Sequence, residues 1–425
     1  MSGPLVIGID MGTSGARAVA MSPDFAIHAT ASAKLATFSD NHRDPAGWWA
    51  AVRSALSGVL SAIDRASVKA LSIDGTSGTM LPIGAEGQPL AQPMMYNDPV
   101  ADRDILDAVS RFAPQESAAH GATSGLAKLL TFQTIAGTHK VVHQADWLAG
   151  HLSGRYDLSD ENNALKTGYD PVARQWPDWM SATGARMGLL PDVLPAGTPM
   201  AKISHSAVTS FNLSPDTLVV AGTTDGCASF LATGADQPGD GVTALGTTMT
   251  VKLLSDKPLF APQYGLYSHR IGNKWLAGGA SNTGGVVLAQ YFAPERITEL
   301  SGMIDPSTRT GLDYYPLVRP GERFPIADPA LAPRLEPRPV DDAEFLKAIF
   351  EGIAGIEHLA YQRLAALGGP ALRSVRTVGG GAANPVWSRI RENRLNVPFD
   401  DVRSEEAAAG AARLALDGAR MAGLL

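Results

Sequence analysis

At 425 residues, 45% hydrophobic and 18% charged, the chain has enough apolar mass for a large core and enough length for two domains. Its net charge of −7 is spread over mixed acids and bases, so bulk electrostatics give no argument for nucleic acid or a membrane surface as partner. No apolar run of about 18 residues exists to span a bilayer. The single cysteine, Cys227, rules out an internal disulfide, and a strand begins at once with no leader-like stretch before it, so a cytoplasmic protein is expected.

Residues 5–10 predict a strand ending in an acid, Asp10, and Gly12, Thr13, Ser14 and Gly15 predict a turn into a second strand over 18–21. Such a hairpin offers amides and hydroxyls to an anion, with Asp10 placed to order a cation through water. Taken alone, it reads more readily as a structural turn. It lacks G-x-x-x-x-G-K-[ST] and no helix follows directly, which excludes a Walker loop. Asp44-Pro45 predicts a capped helix start, followed by Trp49, Val52, Leu56, Val59, Leu60 and Ile63 at helical spacing. The strand expected over 68–73 again runs into an acid and a glycine turn, Asp74-Gly75-Thr76-Ser77-Gly78-Thr79. Tyr96-Asn97-Asp98 and the cluster Asp102-Arg103-Asp104 either recognise a polyol or form a solvated loop. Residues 121–154 read as helical. Residues 162–171 read as a polar loop able to lie over a small-molecule site, with Lys166 either a phosphate partner or a solvated lysine.

The apolar run 218–221 then delivers Gly222-Thr223-Thr224-Asp225-Gly226. A carboxylate at a strand's end, hinged by glycines, can take a proton from an alcohol or hold a metal; equally, it can simply cap a helix. The second half repeats the first: strand 242–245, the turn Gly246-Thr247-Thr248, strand 249–254. Two such hairpins, one opening each half, argue for a two-domain clamp over one ATP. A glycine-rich run over 278–285 leads into the apolar segment 286–292, and the proline- and arginine-rich residues 314–338 predict surface loops. An amphipathic helix is expected from Phe345 to Leu359. The last strand, 375–378, runs into Gly379-Gly380-Gly381-Ala382-Ala383-Asn384. Three glycines there admit a flat ring or a phosphate, and Asn384 either pairs with a purine or caps the next helix. Residues 407–425 form an alanine-rich helix suited to close packing.

In order, Asp10 to Arg17, Gly222 to Gly226, Gly246 to Thr248 and Gly379 to Asn384 resemble the motifs of the FGGY family of carbohydrate kinases, over essentially the whole chain. That family lies within the group sharing the actin, hexokinase and chaperone-ATPase fold. The resemblance implies an α/β protein of two actin-like (ribonuclease H-like) domains, 1–236 and 237–425. Each would be a mixed β-sheet flanked by helices, with ATP and sugar in a cleft between them. It implies ATP and Mg²⁺ as cofactors, a monomer or homodimer, and no nucleic-acid or membrane partner. By the same resemblance Asp225 is the general base, and Asp10 and Asp225 orient Mg²⁺. Gly12, Thr13, Ser14, Gly15 and Arg17, with Gly246, Thr247 and Thr248, hold phosphates; Gly284, Gly380, Gly381 and Asn384 line the nucleoside pocket. Asp10, Thr76, Ser77, Gly78, Asp98, Thr224 and Asp225 lie nearest the sugar. Transfer then relies on positioning and charge neutralisation.

Xylulose kinases carry a Gln-Met-His run after the second strand and a tryptophan-led segment where this chain has Tyr96-Asn97-Asp98. The Thr76-Ser77-Gly78 turn and the short length look instead like the compact D-ribulose kinases of plants and cyanobacteria. The expected reaction is therefore D-ribulose to D-ribulose 5-phosphate. D-Xylulose, L-ribulose and glycerol are the alternatives within the class; an actin-like ATPase or a catalytically silent sugar sensor are those outside it.

Overall fold

The computed structural model describes residues 3–425. The chain divides into two compact units. One runs to Ala232 and takes in His269–Gly272 and Glu406–Leu425; the other holds Thr233–Ser268 and Asn273–Glu405. The closing segment, Glu406–Leu425, thus returns to the first unit.

The strands of the first unit are β1 (Leu5–Gly12), β2 (Gly15–Met21), β3 (Ile27–Lys34), β4 (Val68–Gly75), β5 (Met80–Ile83), β6 (Lys140–His143), β7 (Leu158–Asp160), β8 (Asp192–Leu194), β9 (Pro199–Lys202) and β10 (Leu218–Thr224). Six of them form a mixed sheet in the order β3-β2-β1-β4-β10-β9, parallel across β1, β4 and β10 and antiparallel elsewhere. Strand β1 is buried on both faces, as its near-continuous apolar sequence requires. Ile7, Ile9 and Met11 pack with Trp48, Val52 and Leu56 of the helix Pro45–Ser61. Asp44 caps that helix by accepting from the Ala46 amide at 3.0 Å. Trp48, 1% exposed, leads its apolar face rather than Trp49.

The other face of β1 explains the alanine-rich C-terminus. A Cβ on Gly8 would lie 2.0 Å from the Ala408 carbonyl oxygen, and one on Gly410 would lie 1.9 Å from that of Ala228. The helix Ala407–Met421 thus sits backbone against backbone on the sheet and on the helix Asp225–Ala232, and only small side chains fit.

Two expectations fail here. Residues 121–154 are not one helix: the first helix, Gly125–Phe132, stops at its cap Gln133, Gly137 turns the chain at φ of +82°, and Val141 and Val142 pair as β6 with β5 before the helix Gln144–Ser153 begins. Residues 162–171 are not an overlying loop. Asn162 and Asn163 are 1% exposed, and the Asn162 amide donates to Thr223 Oγ1 at 3.0 Å and to the Arg270 carbonyl at 2.9 Å. A short run of polar residues looks like loop in a sequence; here Asn162 and Asn163 are buried, with Asn162 hydrogen-bonded to β10 through Thr223.

The second unit contains β11 (Asp240–Leu245), β12 (Met249–Ser255), β14 (Lys274–Ala280) and β15 (Ser374–Val378). Between β12 and β14 the chain forms β13 (Ser268–Ile271), whose residues from His269 group with the first unit. Strand β11 pairs antiparallel with β12 and parallel with β15, and β12 pairs antiparallel with β14. The helix Asp342–Ala366 fills the core beside this sheet. The stretch 314–338 has no regular structure, as expected, but it is not all surface: Tyr314, Tyr315, Leu317 and Phe324 are buried in the core. Both units are thus mixed sheets flanked by helices, the actin-like architecture. Among the described residues no helix is long and apolar enough to cross a membrane.

Candidate active site

In the first unit, parallel pairing lines up the ends of three strands. Asp10 lies in register with Asp74, and Asp74 with Thr223, two residues before Asp225. Asp10 is 5% exposed and Asp74 fully buried. Burial raises the Asp10 carboxyl above its ordinary range, against the contact with Asp74 and the charge of Arg17, whose Nη1 donates to it at 3.3 Å. Burial drives Asp74 well above its range, and the neighbouring Asp10, Asp225 and Asp160 charges add to this. No donor among the described residues reaches either Asp74 oxygen. Asp225 is the first residue of the helix Asp225–Ala232, half-buried, with Oδ1 accepting from the Gly226 amide at 2.7 Å. A helix N-terminus stabilises negative charge there.

Carboxylates thus outnumber cations at these strand ends, and all the donors are oxygen. That fits a hard divalent ion such as Mg²⁺, with Asp10 and Asp225 the residues able to hold it and Asp74 behind them. Among the described residues no three His, Cys, Asp or Glu side chains group as a metal cage.

The β1–β2 hairpin carries Thr13 and Ser14, both exposed, at its tip between Gly12 and Gly15. A Cβ on Gly15 would meet the Ala33 carbonyl oxygen at 2.2 Å, so glycine is what lets the tip lie against β3. Arg17 is exposed and also contacts Glu406, at 3.2 Å.

The residues expected near a sugar divide. Thr76 faces inward: its Oγ1 bonds Thr79 Oγ1 at 2.6 Å and Gln144 Oε1 at 2.9 Å. Thr224 is buried, its Oγ1 accepting from the Cys227 amide at 3.4 Å. Asp98 is occupied by Arg43 through both oxygens and by the Met95 amide at 2.7 Å, which holds its carboxyl below the usual range. Ser77 is half-buried, and no partner for its hydroxyl is found among the described residues; Gly78 turns the chain at φ of +84°. Lys166 is half-buried beside Gly78, and Arg103 opens an exposed helix whose cap is Asp102.

Three residues of this region were missed in the sequence: Gln144, Arg43 and Lys128. Lys128 is fully buried, and its ammonium donates to the carbonyls of Gly78 at 2.6 Å and Met95 at 2.7 Å. Burial pulls it down to about 8, against the opposing charge of Asp98. The one available signal was a lysine within the apolar run Leu126-Ala127-Lys128-Leu129-Leu130.

The second unit carries a cleft of about 880 Å³, within the range that holds a small ligand. Gly246, Thr247, Gly380, Gly381 and Asn384 line it, with Leu288, Phe292, Ile297 and Trp387 as apolar wall. Backbone packing shapes the cleft. The Gly285 amide donates to the Gly246 carbonyl at 2.9 Å, and the Val286 amide to that of Thr247 at 3.0 Å. A Cβ on Gly284 would strike Thr247 and Thr248 at 2.8 Å, whereas one on Gly380 would meet nothing. Asn384 is the helix cap: Oδ1 accepts from the Trp387 amide at 3.0 Å and Nδ2 donates to Ser301 Oγ at 2.8 Å. Buried Glu322, from the supposed surface loop, accepts from Ser281 Oγ at 2.6 Å and the Asn282 amide at 2.8 Å, anchoring the turn that leads to Gly284.

Residues 241–418 match the C-terminal domain of the FGGY family of carbohydrate kinases. A xylulose kinase from Staphylococcus epidermidis is 21% identical over 97% of this chain and 88% of its own length. A gluconokinase from Bacillus subtilis is 27% identical over 52% of this chain and 48% of its own. The fold is shared with a xyloylose kinase from Brucella ovis, with a TM-score of 0.85 at 23% identity, covering 98% of this chain and 91% of that one.

Proposed function

We propose that this chain is a carbohydrate kinase of the FGGY family that transfers the γ-phosphate of ATP to the terminal hydroxyl of a five-carbon ketose, with Asp225 as the general base. The observation that supports this most directly is the alignment of Asp10, Asp74 and Asp225 at adjacent strand ends, with Asp225 opening a helix. In this reading Asp225 accepts the proton of the attacking hydroxyl. Asp10 and Asp225 hold Mg²⁺, which supplies charge neutralisation on the transferring phosphoryl group when bound. The Thr13–Ser14 tip of the first unit and the Gly246–Thr248 turn of the second each carry amides and hydroxyls of the kind that bind phosphate. The apolar cleft bordered by Gly380, Gly381 and Trp387 takes the nucleoside.

D-Xylulose is the leading acceptor, because relatives spanning nearly the whole chain are xylulose kinases. D-Ribulose is the second, favoured by Thr76-Ser77-Gly78 in place of the Gln-Met-His run. The deciding experiment is ADP release with Mg²⁺-ATP against D-xylulose, D-ribulose, L-ribulose, D-gluconate and glycerol. The highest kcat/KM with D-xylulose supports the leading reading, and with D-ribulose the second. No stimulation by any sugar removes both.

A further inference from the structure

Lys128 has no ion-pair partner among the described residues, yet it lies at 0% exposure on a helix whose neighbours Leu126, Leu129 and Leu130 are apolar core. Burying an ammonium among them is costly unless its hydrogen bonds are made. A methionine would fill the same space but would leave the Gly78 carbonyl without the donor that reaches it, so what the lysine adds over an apolar residue is its tie to backbone carbonyls. The ammonium's bonds go to two separate turns, at Gly78 and at Met95. These turns are also joined by the Tyr96 amide donating to Thr79 Oγ1 at 3.0 Å, and by Met80 and Met94 exchanging amide–carbonyl bonds at 2.9 Å. What projects from the clamped pair is polar: Ser77 from one turn, Tyr96 and Asn97 from the other, the latter two exposed.

We infer that Lys128 is a positioning residue for the sugar, its buried ammonium fixing the spacing between the Thr76–Thr79 turn and the Met95–Asp98 turn. It touches no substrate itself. The ammonium carries three donors and two are spent on the carbonyls, so each turn is tied to one rigid point on the helix Gly125–Phe132. A loss of this tie loosens acceptor binding and leaves the nucleotide cleft of the second unit as it was. The inference rests on these two turns contacting the sugar, as proposed above.

The test compares Lys128→Met, which removes all donors, and Lys128→Gln, which keeps a neutral donor, with the parent. Ser77→Ala serves as the check on the acceptor site. Sugar KM is expected to rise roughly tenfold or more in Lys128→Met and by less in Lys128→Gln, as charged and then all hydrogen bonds are withdrawn. kcat is expected to stay within about threefold, and ADP affinity by calorimetry to stay parental. Amide exchange should quicken at 76–79 and 95–98 alone. Parental sugar KM in Lys128→Met, while Ser77→Ala raises it, overturns the inference and leaves the acceptor site standing. Parental KM in both Lys128→Met and Ser77→Ala refutes the acceptor-site reading and the inference with it. If Lys128→Met does not fold, Lys128→Gln decides: a raised sugar KM with retained ADP affinity supports the clamp, and an unchanged one overturns it.

Discussion

Asp225→Asn is the most informative substitution, because it should move rate and stability in opposite directions. Asparagine keeps the shape and the oxygen that accepts from the Gly226 amide at 2.7 Å, so the helix start is retained. It removes the base, which for a positioned proton acceptor is worth about 10²–10⁴ in rate, or roughly 3–5 kcal/mol of barrier. It also removes a charge that pushes up both the Asp10 and Asp74 carboxyls. Relieving that repulsion should stabilise the ligand-free protein by about 1 kcal/mol, the size of one close charge pair in water-like surroundings. The assays are coupled ADP release at saturating sugar and thermal melting without ligands. Sugar-dependent turnover within tenfold of the parent would refute Asp225 as base. A fall in melting temperature alongside the lost rate would show that the residue serves structure instead.

Other substitutions probe separate parts of the argument. Gly380→Val, whose Cβ enters open space, should leave the melting temperature unchanged and raise the ATP KM about tenfold or more, since it narrows the cleft; an unchanged KM would place the nucleotide elsewhere. Gly8→Val should cost about 3 kcal/mol or more, because the alanine helix has to move off the sheet; denaturation within 1 kcal/mol of the parent would contradict that packing. His151 lies between Trp49 and Trp147, at 4.6 and 4.4 Å, with Nε2 unpartnered, and burial lowers it to about 4. The unfolded chain therefore takes up a proton first as pH falls from 6.5 toward 4, and stability drops by about 3 kcal/mol at most across that window. His151→Phe should remove this share, so that the parent loses more stability than the variant between pH 7 and 4.5; equal losses in the two would contradict it.

The sequence alone determined what is local. The alternation of apolar strands with acid–glycine–threonine turns placed β1, β4, β10, β11 and β15 within a few residues, because each turn needs glycine or a capping side chain at one particular position. The same reading placed Asp10 and Asp225 at strand ends. What these turns share in space was set by long-range pairing. Parallel register carries Asp74 against Asp10, where no donor among the described residues reaches it, which no spacing along the chain could show. Asp98 and Thr76 look like free polyol ligands in one dimension, but Arg43 and Gln144, 55 and 68 residues away, occupy them. Lys128 looks like an ordinary helix lysine until its two carbonyl partners are seen. The alanine-rich C-terminus announced close packing, but only the approach of Ala408 to Gly8 and of Gly410 to Ala228 decided that its partners are the first strand and the helix Asp225–Ala232. Local chemistry sets conformation residue by residue; burial and hydrogen-bond satisfaction between distant segments decide which of those residues remain available for chemistry.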